Sequence, residues 1–139
     1  MESIAVIFWS GTGNTATMAQ EVVAGTGGQA KLINVTDTNA DEAAAYDKLA
    51  LGCPSMGDEV LEEDEMEPFF TALEGKISGK KVVLFGSYDW GDGQWMRDWA
   101  ERTKKAGAIL AADPLIVNLS PDADGKAKCR ELGKALVDA

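Results

Sequence analysis

The sequence predicts an α/β domain of the doubly wound kind: a five-stranded parallel sheet in the order 2-1-3-4-5, sandwiched between two helix layers. Three observations lead there. Short apolar runs alternate five times with stretches of helical period. The first run, "IAVIFW", is apolar throughout, as a strand buried on both faces of a parallel sheet requires. The chain then passes through a glycine-rich loop directly into a helix, which is the layout of a βα unit with an anion site at its turn.

Each element follows from local chemistry. Strand 1 is Ile4 to Trp9. In the helix Thr15 to Val23, Thr15, Met18/Ala19 and Val22/Val23 share one face, and Gly25 and Gly27 are expected to stop it. "AKLINV" (Ala30 to Val35) is strand 2. Asn39 and Glu42 stand in capping-box spacing at the head of a short helix. "KLALGC" (Lys48 to Cys53) is strand 3. Met66, Phe69/Phe70, Leu73 and Ile77 form the next helix face, and "KVVLFGS" (Lys81 to Ser87) is strand 4. Trp95/Met96, Trp99, Thr103 and Ala106 give a fourth helix, ended by Lys104, Lys105 and Gly107; Trp95 and Trp99 are expected in its core face. The fifth strand lies in "AILAADPLIVN" and is interrupted near Pro114. Ser120 as N-cap and Pro121 at the first helical position are expected to open the terminal helix.

The chain of 139 residues reads as one domain, residues 1–139, with no internal repeat or linker. A net charge of −10 argues against nucleic acid and anionic membrane surfaces as partners. No stretch approaches the roughly 20 apolar residues of a membrane span, so a cytoplasmic protein is the expectation. Histidine is absent, which removes the commonest general base and the commonest transition-metal ligand. Cys53 and Cys129 fit no metal spacing, and Cys53 reads as a buried, inert thiol.

A sheet of this order brings three loops together at the carboxyl ends of its strands. In the first, Ser10–Thr15, the backbone N–H groups, the hydroxyls of Ser10, Thr12 and Thr15 and the Asn14 amide can converge on an anion. Gly11 and Gly13 permit close approach. The loop has neither the lysine of a Walker A motif nor the third glycine of the dinucleotide fingerprint. A cradle with no cation suits a phosphate monoester that is held and undergoes no chemistry, because phosphoryl transfer needs positive charge. The second loop, Pro54–Glu59, offers Met56 and Gly57. The third, Ser87–Gly93, offers Tyr88 and Trp90. A planar ring bearing a ribityl phosphate fits a slot between Met56 and Trp90. A receiver domain would need carboxylates after strand 1, where the chain has "FWSG". A Cys-x5-Arg phosphatase loop starting at Cys53 would need arginine where Glu59 stands.

"WSGTGNT", "LGCPSMGDEVLEE" and "LFGSYDWGDGQWMRDW" stand in order over the whole chain and resemble the short-chain flavodoxins, most nearly the clostridial type. The resemblance implies a flavodoxin-like fold, non-covalently bound flavin mononucleotide (FMN), and electron transfer without substrate turnover. It implies a cofactor site of Ser10, Gly11, Thr12, Gly13, Asn14 and Thr15 at the phosphate. Ser55, Met56, Gly57, Asp58 and Glu59, with Ser87, Tyr88, Asp89, Trp90 and Gly91, would border the ring. Within that set Met56 and Trp90 flank its faces, Glu59 meets the pyrimidine edge, and the Gly57 carbonyl turns toward flavin N5. With no Lys or Arg in the three loops, an anionic reduced flavin is disfavoured, so the working couple is expected to be semiquinone/hydroquinone at low potential.

Residues 58–67 hold seven carboxylates (Asp58, Glu59, Glu62, Glu63, Asp64, Glu65 and Glu67), which are expected to dock basic patches on reductases and electron acceptors. A monomer is expected. Two positions depart from the related pattern. Asp89 stands where glycine is usual, and Pro54 stands where a hydroxyl residue is often seen and is given no phosphate contact. No residue near Asn118 is assigned a ribityl contact.

Overall fold

The computed structural model describes residues 3–139. Strands β1 (Ile4–Phe8), β2 (Ala30–Asn34), β3 (Lys48–Gly52) and β4 (Lys81–Tyr88) are parallel in the order β2-β1-β3-β4. The outer position beside β4 is shared by two short segments, β5 (Ile109–Leu110) and β6 (Leu115–Asn118), either side of the break expected near Pro114. The helices are α1 (Asn14–Gly25), α2 (Ala40–Ala44), α3 (Met66–Leu73), α4 (Gln94–Lys105) and α5 (Ala123–Asp138). None of them is long and apolar enough to cross a membrane.

The period of two along each strand divides the core into two layers. Ala5, Ile7, Leu49, Leu51, Val82 and Leu84 pack against α2, α3 and α4, where Phe70, Trp95 and Trp99 are buried. Ile4, Val6, Ala50, Val83 and Phe85 face α1 and α5, with Met18, Val22 and Leu136. Both tryptophans expected in the core of α4 are there, each 1% exposed. Phe70 and Trp99 meet edge to face at 5.7 Å between centroids. Arg102 closes that layer, pairing with Glu67 (2.7 Å) and Glu74 (2.8 Å) while lying over the Phe70 ring. The hydrogen bond from Arg102 holds the Glu67 carboxyl below its ordinary range.

Three local expectations are corrected. The terminal helix is capped by Asp122, whose carboxylate accepts the Gly125 N–H at 2.8 Å, so Ser120 and Pro121 lie before it. An Asp three residues ahead of an open N–H is as good a cap as Ser, and the later start lets the Pro121 ring pack by Gly125. The capping box at Asn39 is half formed. Asn39 accepts from the Glu42 N–H, whereas the Glu42 carboxylate turns to the Thr38 hydroxyl. Gly25 does not stop α1; it is the last helical residue, and Gly27 and Gly28 take the left-handed backbone after it.

Gly25 is needed for packing instead. A Cβ there would lie 2.0 Å from the Arg130 carbonyl oxygen, and a Cβ at Gly133 would lie 2.1 Å from that of Val22. The two glycines let α1 and α5 cross in backbone contact and so fix the helix that begins at the first loop. Gly133→Ala is expected to destabilise the fold by about 1–3 kcal/mol through overpacking. Gly75→Ala, where a Cβ meets nothing within 4 Å, should stay within about 0.5 kcal/mol. Urea unfolding of the two variants checks the difference.

Candidate functional site

Strands β1, β3 and β4 end side by side, so the loops that follow them are neighbours. Gly52 and Gly86 make that approach close. A Cβ on Gly52 would meet the Phe85 ring at 2.2 Å, and one on Gly86 would meet the Cys53 carbonyl oxygen at 2.1 Å. Cys53, wedged here, is fully buried, and desolvation pushes its thiol up to about 12. That is the inert cysteine expected. The burial of Cys129 likewise raises its thiol, to about 11.

The three loops enclose a cleft of about 330 Å³, within the range of small-molecule sites. Gly11, Thr12, Asn14, Ser55, Met56, Gly57, Ser87, Tyr88, Asp89 and Trp90 line it, all of them anticipated from the sequence. Trp9, Pro54 and Leu119 line it as well and were not. No Lys or Arg is in its wall. A larger hollow of about 590 Å³ beside edge strand β2 contains none of these loops.

The first loop is organised around the helix N-terminus. Gly13, left-handed at φ 97°, precedes α1 as an N-cap that supplies no side chain. The Ser10 hydroxyl accepts from the N–H groups of Gly13 (3.1 Å) and Ala16 (3.2 Å). The N–H groups of Gly11, Thr12 and Thr15 have no acceptor among the described residues. Three free donors at a positive helix end fit a phosphate, and no carboxylate or cation competes. The Thr15 hydroxyl itself is buried and hydrogen-bonded to the Ser87 hydroxyl at 3.1 Å, tying this loop to the end of β4.

The second loop is a tight hairpin. The Glu59 N–H donates to Met56 O at 2.8 Å and the Met56 N–H to Val60 O at 3.1 Å. Gly57 and Asp58 occupy its tip, with Gly57 at ordinary negative φ. Glu59 is left-handed at φ 53°, where a non-glycine residue is strained. Its carboxylate compensates. Oε1 accepts from the N–H groups of Gly93 (3.3 Å) and Gln94 (3.2 Å), capping α4, whose own N-cap Gly93 brings no side chain. Gly91 must be glycine for this, because a Cβ there would sit 2.4 Å from Glu59 Oε1.

In the third loop Trp90 is 56% exposed and Asp89 is exposed at negative φ, so aspartate costs the backbone nothing at that place. Leu119 is the second left-handed non-glycine residue, at φ 58°, and its N–H donates to Tyr88 O at 2.7 Å. Ser10, Gly13, Thr15, Asp58, Glu59 and Gly91 stand behind or beside the cleft and do not line it. The signal for Trp9 was present in its place one residue before the loop. Leu119 gave none, since leucine is seldom left-handed.

Among the described residues no grouping could hold a metal ion. The donors and the cation-free slot accommodate a phosphate joined to a flat apolar ring, as FMN is. The family model described as Flavodoxin matches residues 6–133. The chain is 50% identical to the flavodoxin of Clostridium beijerinckii over 96% of this chain and 98% of that one. It is 46% identical to the Megasphaera elsdenii flavodoxin over 98% and 99%. The solution structure of two-electron reduced Megasphaera elsdenii flavodoxin superposes with a TM-score of 0.88 at 44% identity, covering 98% of this chain and 99% of that one. Sequence motifs, sheet order, cleft and relatives agree: the chain belongs to the flavodoxin family, FMN-binding proteins that carry electrons to and from redox partners and turn over no substrate of their own.

Proposed function

We propose that this chain is a low-potential carrier of single electrons, a one-domain cytoplasmic monomer that exchanges them with partners presenting basic patches. The observation that carries the reading is the cleft wall, which joins a neutral N–H cradle to Met56 and Trp90 and contains no cation. When bound, FMN supplies a ring that accepts and returns electrons one at a time. The chain's own residues hold that ring and set its surroundings.

The N–H groups of Gly11, Thr12 and Thr15, with the hydroxyls of Ser10 and Thr12 and the Asn14 amide, take the phosphate at the start of α1. Gly13 gives the turn its left-handed entry, and Thr15 holds the loop to β4 through Ser87. Met56 and Trp90 cover the ring faces. The backbones of Ser55, Tyr88 and Asp89 edge the slot with Asp58 and Gly91 beside them, and Glu59 Oε2, which takes no hydrogen bond at α4, would be the acceptor left for the polar edge of the ring. The Gly57–Asp58 peptide at the hairpin tip has room to turn, since a Cβ at Gly57 would meet nothing within 4 Å, and its carbonyl would be an acceptor available to the bound ring.

Low potential follows from charge. A wall without Lys or Arg in a protein of net charge −10 opposes addition of negative charge to the ring. Of the seven carboxylates in residues 58–67, Glu59 caps α4. Buried Glu62 accepts from the N–H groups of Asp64, Glu65 and Met66 at the start of α3, and Glu67 is paired with Arg102. Asp58, Glu63, Asp64 and Glu65 remain exposed for docking.

Anaerobic reductive titration of the FMN-loaded protein should show two separate one-electron stages, the second needing a much stronger reductant. A single two-electron stage would overturn the carrier reading. Asp89→Gly is expected to raise the second potential by about 20–40 mV, the worth of an exposed charge near the site (about 0.5–1 kcal/mol). No shift would remove Asp89 from the electrostatics. Electron transfer to a basic haem protein should slow about tenfold or more between low and physiological salt. Replacing Asp58, Glu63, Asp64 and Glu65 by their amides should abolish most of that dependence.

A further inference from the structure

Sulfur is distributed unevenly in this molecule. Met18, Met66 and Met96 are 0%, 0% and 3% exposed, and Cys53 and Cys129 are fully buried. Among the described residues only Met56 presents a sulfur side chain to the surroundings, and it does so in the wall of the cleft. Burial holds both thiols protonated and unreactive, so they do not compete for oxidants. The Met56 backbone is occupied at both its N–H and its carbonyl by the hairpin. A change at its thioether therefore alters the cleft wall and leaves the loop in place.

We propose that Met56 is a modification site, oxidised by hydrogen peroxide to the sulfoxide when the cleft is empty, and that the sulfoxide weakens cofactor binding. In the step, the thioether sulfur attacks one peroxide oxygen. An S–O bond forms, the O–O bond breaks, sulfur loses two electrons and water leaves. An apolar, polarisable wall then becomes a polar one of fixed chirality. Bound cofactor covers the same side chain and protects it, so loss of cofactor and loss of binding competence reinforce each other until a methionine sulfoxide reductase restores the thioether. The inference rests on the reading of this cleft as the FMN site.

The test uses full-length protein, FMN-free and FMN-loaded, treated with dilute hydrogen peroxide. Peptide mass mapping locates added oxygen, and FMN fluorescence quenching measures affinity. Tight binding before treatment establishes the cleft reading independently, and its failure would count against that reading alone. The expected result is oxygen on Met56 ahead of Met18, Met66 and Met96, little oxygen on Met56 in the loaded protein, and affinity about tenfold weaker after oxidation. Met56→Leu, measured against its own starting affinity, should lose none of it on treatment. The proposal is overturned by equal oxidation of the buried methionines, by a Met56 sulfoxide that binds FMN as tightly as the thioether, or by loss of affinity in Met56→Leu, which would move the damage to Trp90.

Discussion

The N-termini of α1 and α4 are the constraint on which the ligand end of this protein depends. Both helices begin after a glycine in left-handed conformation, at φ 97° and 93°, and neither glycine caps its helix with a side chain. Each helix therefore points uncompensated N–H groups and a positive dipole end toward the carboxyl edge of the sheet. The two ends are resolved differently. At α4 the anion comes from within the chain, as the Glu59 carboxylate. At α1 the Ser10 hydroxyl meets the Gly13 and Ala16 N–H groups and the Thr12 hydroxyl that of Asn14, while the N–H groups of Gly11, Thr12 and Thr15 find no acceptor among the described residues and stay open to an anion. One physical demand thus ties the second loop to the third and leaves the first with open donors.

The same demand explains why so acidic a chain is stable at its most acidic segment. Seven carboxylates in ten residues would repel one another if all were exposed, yet three have positive partners: Glu59 and Glu62 at the N-termini of α4 and α3, and Glu67 at the Arg102 guanidinium. Glu62, only 4% exposed, accepts three backbone N–H groups, which offsets the cost of burying it. What is left outside, Asp58, Glu63, Asp64 and Glu65, is smaller than the sequence suggests, and Val60 in the same stretch is exposed as well.

Periodicity and loop chemistry made the fold legible, because strands buried on both faces and glycine–hydroxyl turns are local signals. The order of the sheet, its split outer strand and the meeting of three loops all follow from them. The partners that side chains choose for their hydrogen bonds were not legible. Asp122 wins the cap of α5 from Ser120 by reaching Gly125, and Glu42 abandons its box for Thr38. One choice is between two acceptors for a helix N–H and the other between two donors for a carboxylate, and spacing alone does not decide which partner has the better geometry. Glu59 is the instructive case: the motif marks it as a site residue, but nothing local says that it is left-handed or that its partners stand thirty-four and thirty-five residues away.

The two strained residues show how the cleft is kept in shape. Among the described residues Glu59 and Leu119 are the only non-glycine positions at positive φ, and both adjoin the site. Each is over-determined by contacts outside its own loop, Glu59 through α4 and Leu119 through the Tyr88 carbonyl. A left-handed side chain costs on the order of 1–2 kcal/mol, so without those contacts the rims would relax to ordinary backbone and the slot would lose its shape. With both rims held, and the first loop held through Thr15 and Ser87, Gly57 and Asp58 form the tip of a hairpin closed at its base by the Glu59 N–H to Met56 O and Met56 N–H to Val60 O hydrogen bonds. The rims are thus held from outside their own loops, while a Cβ at Gly57 would meet nothing within 4 Å, which leaves the backbone room at that tip.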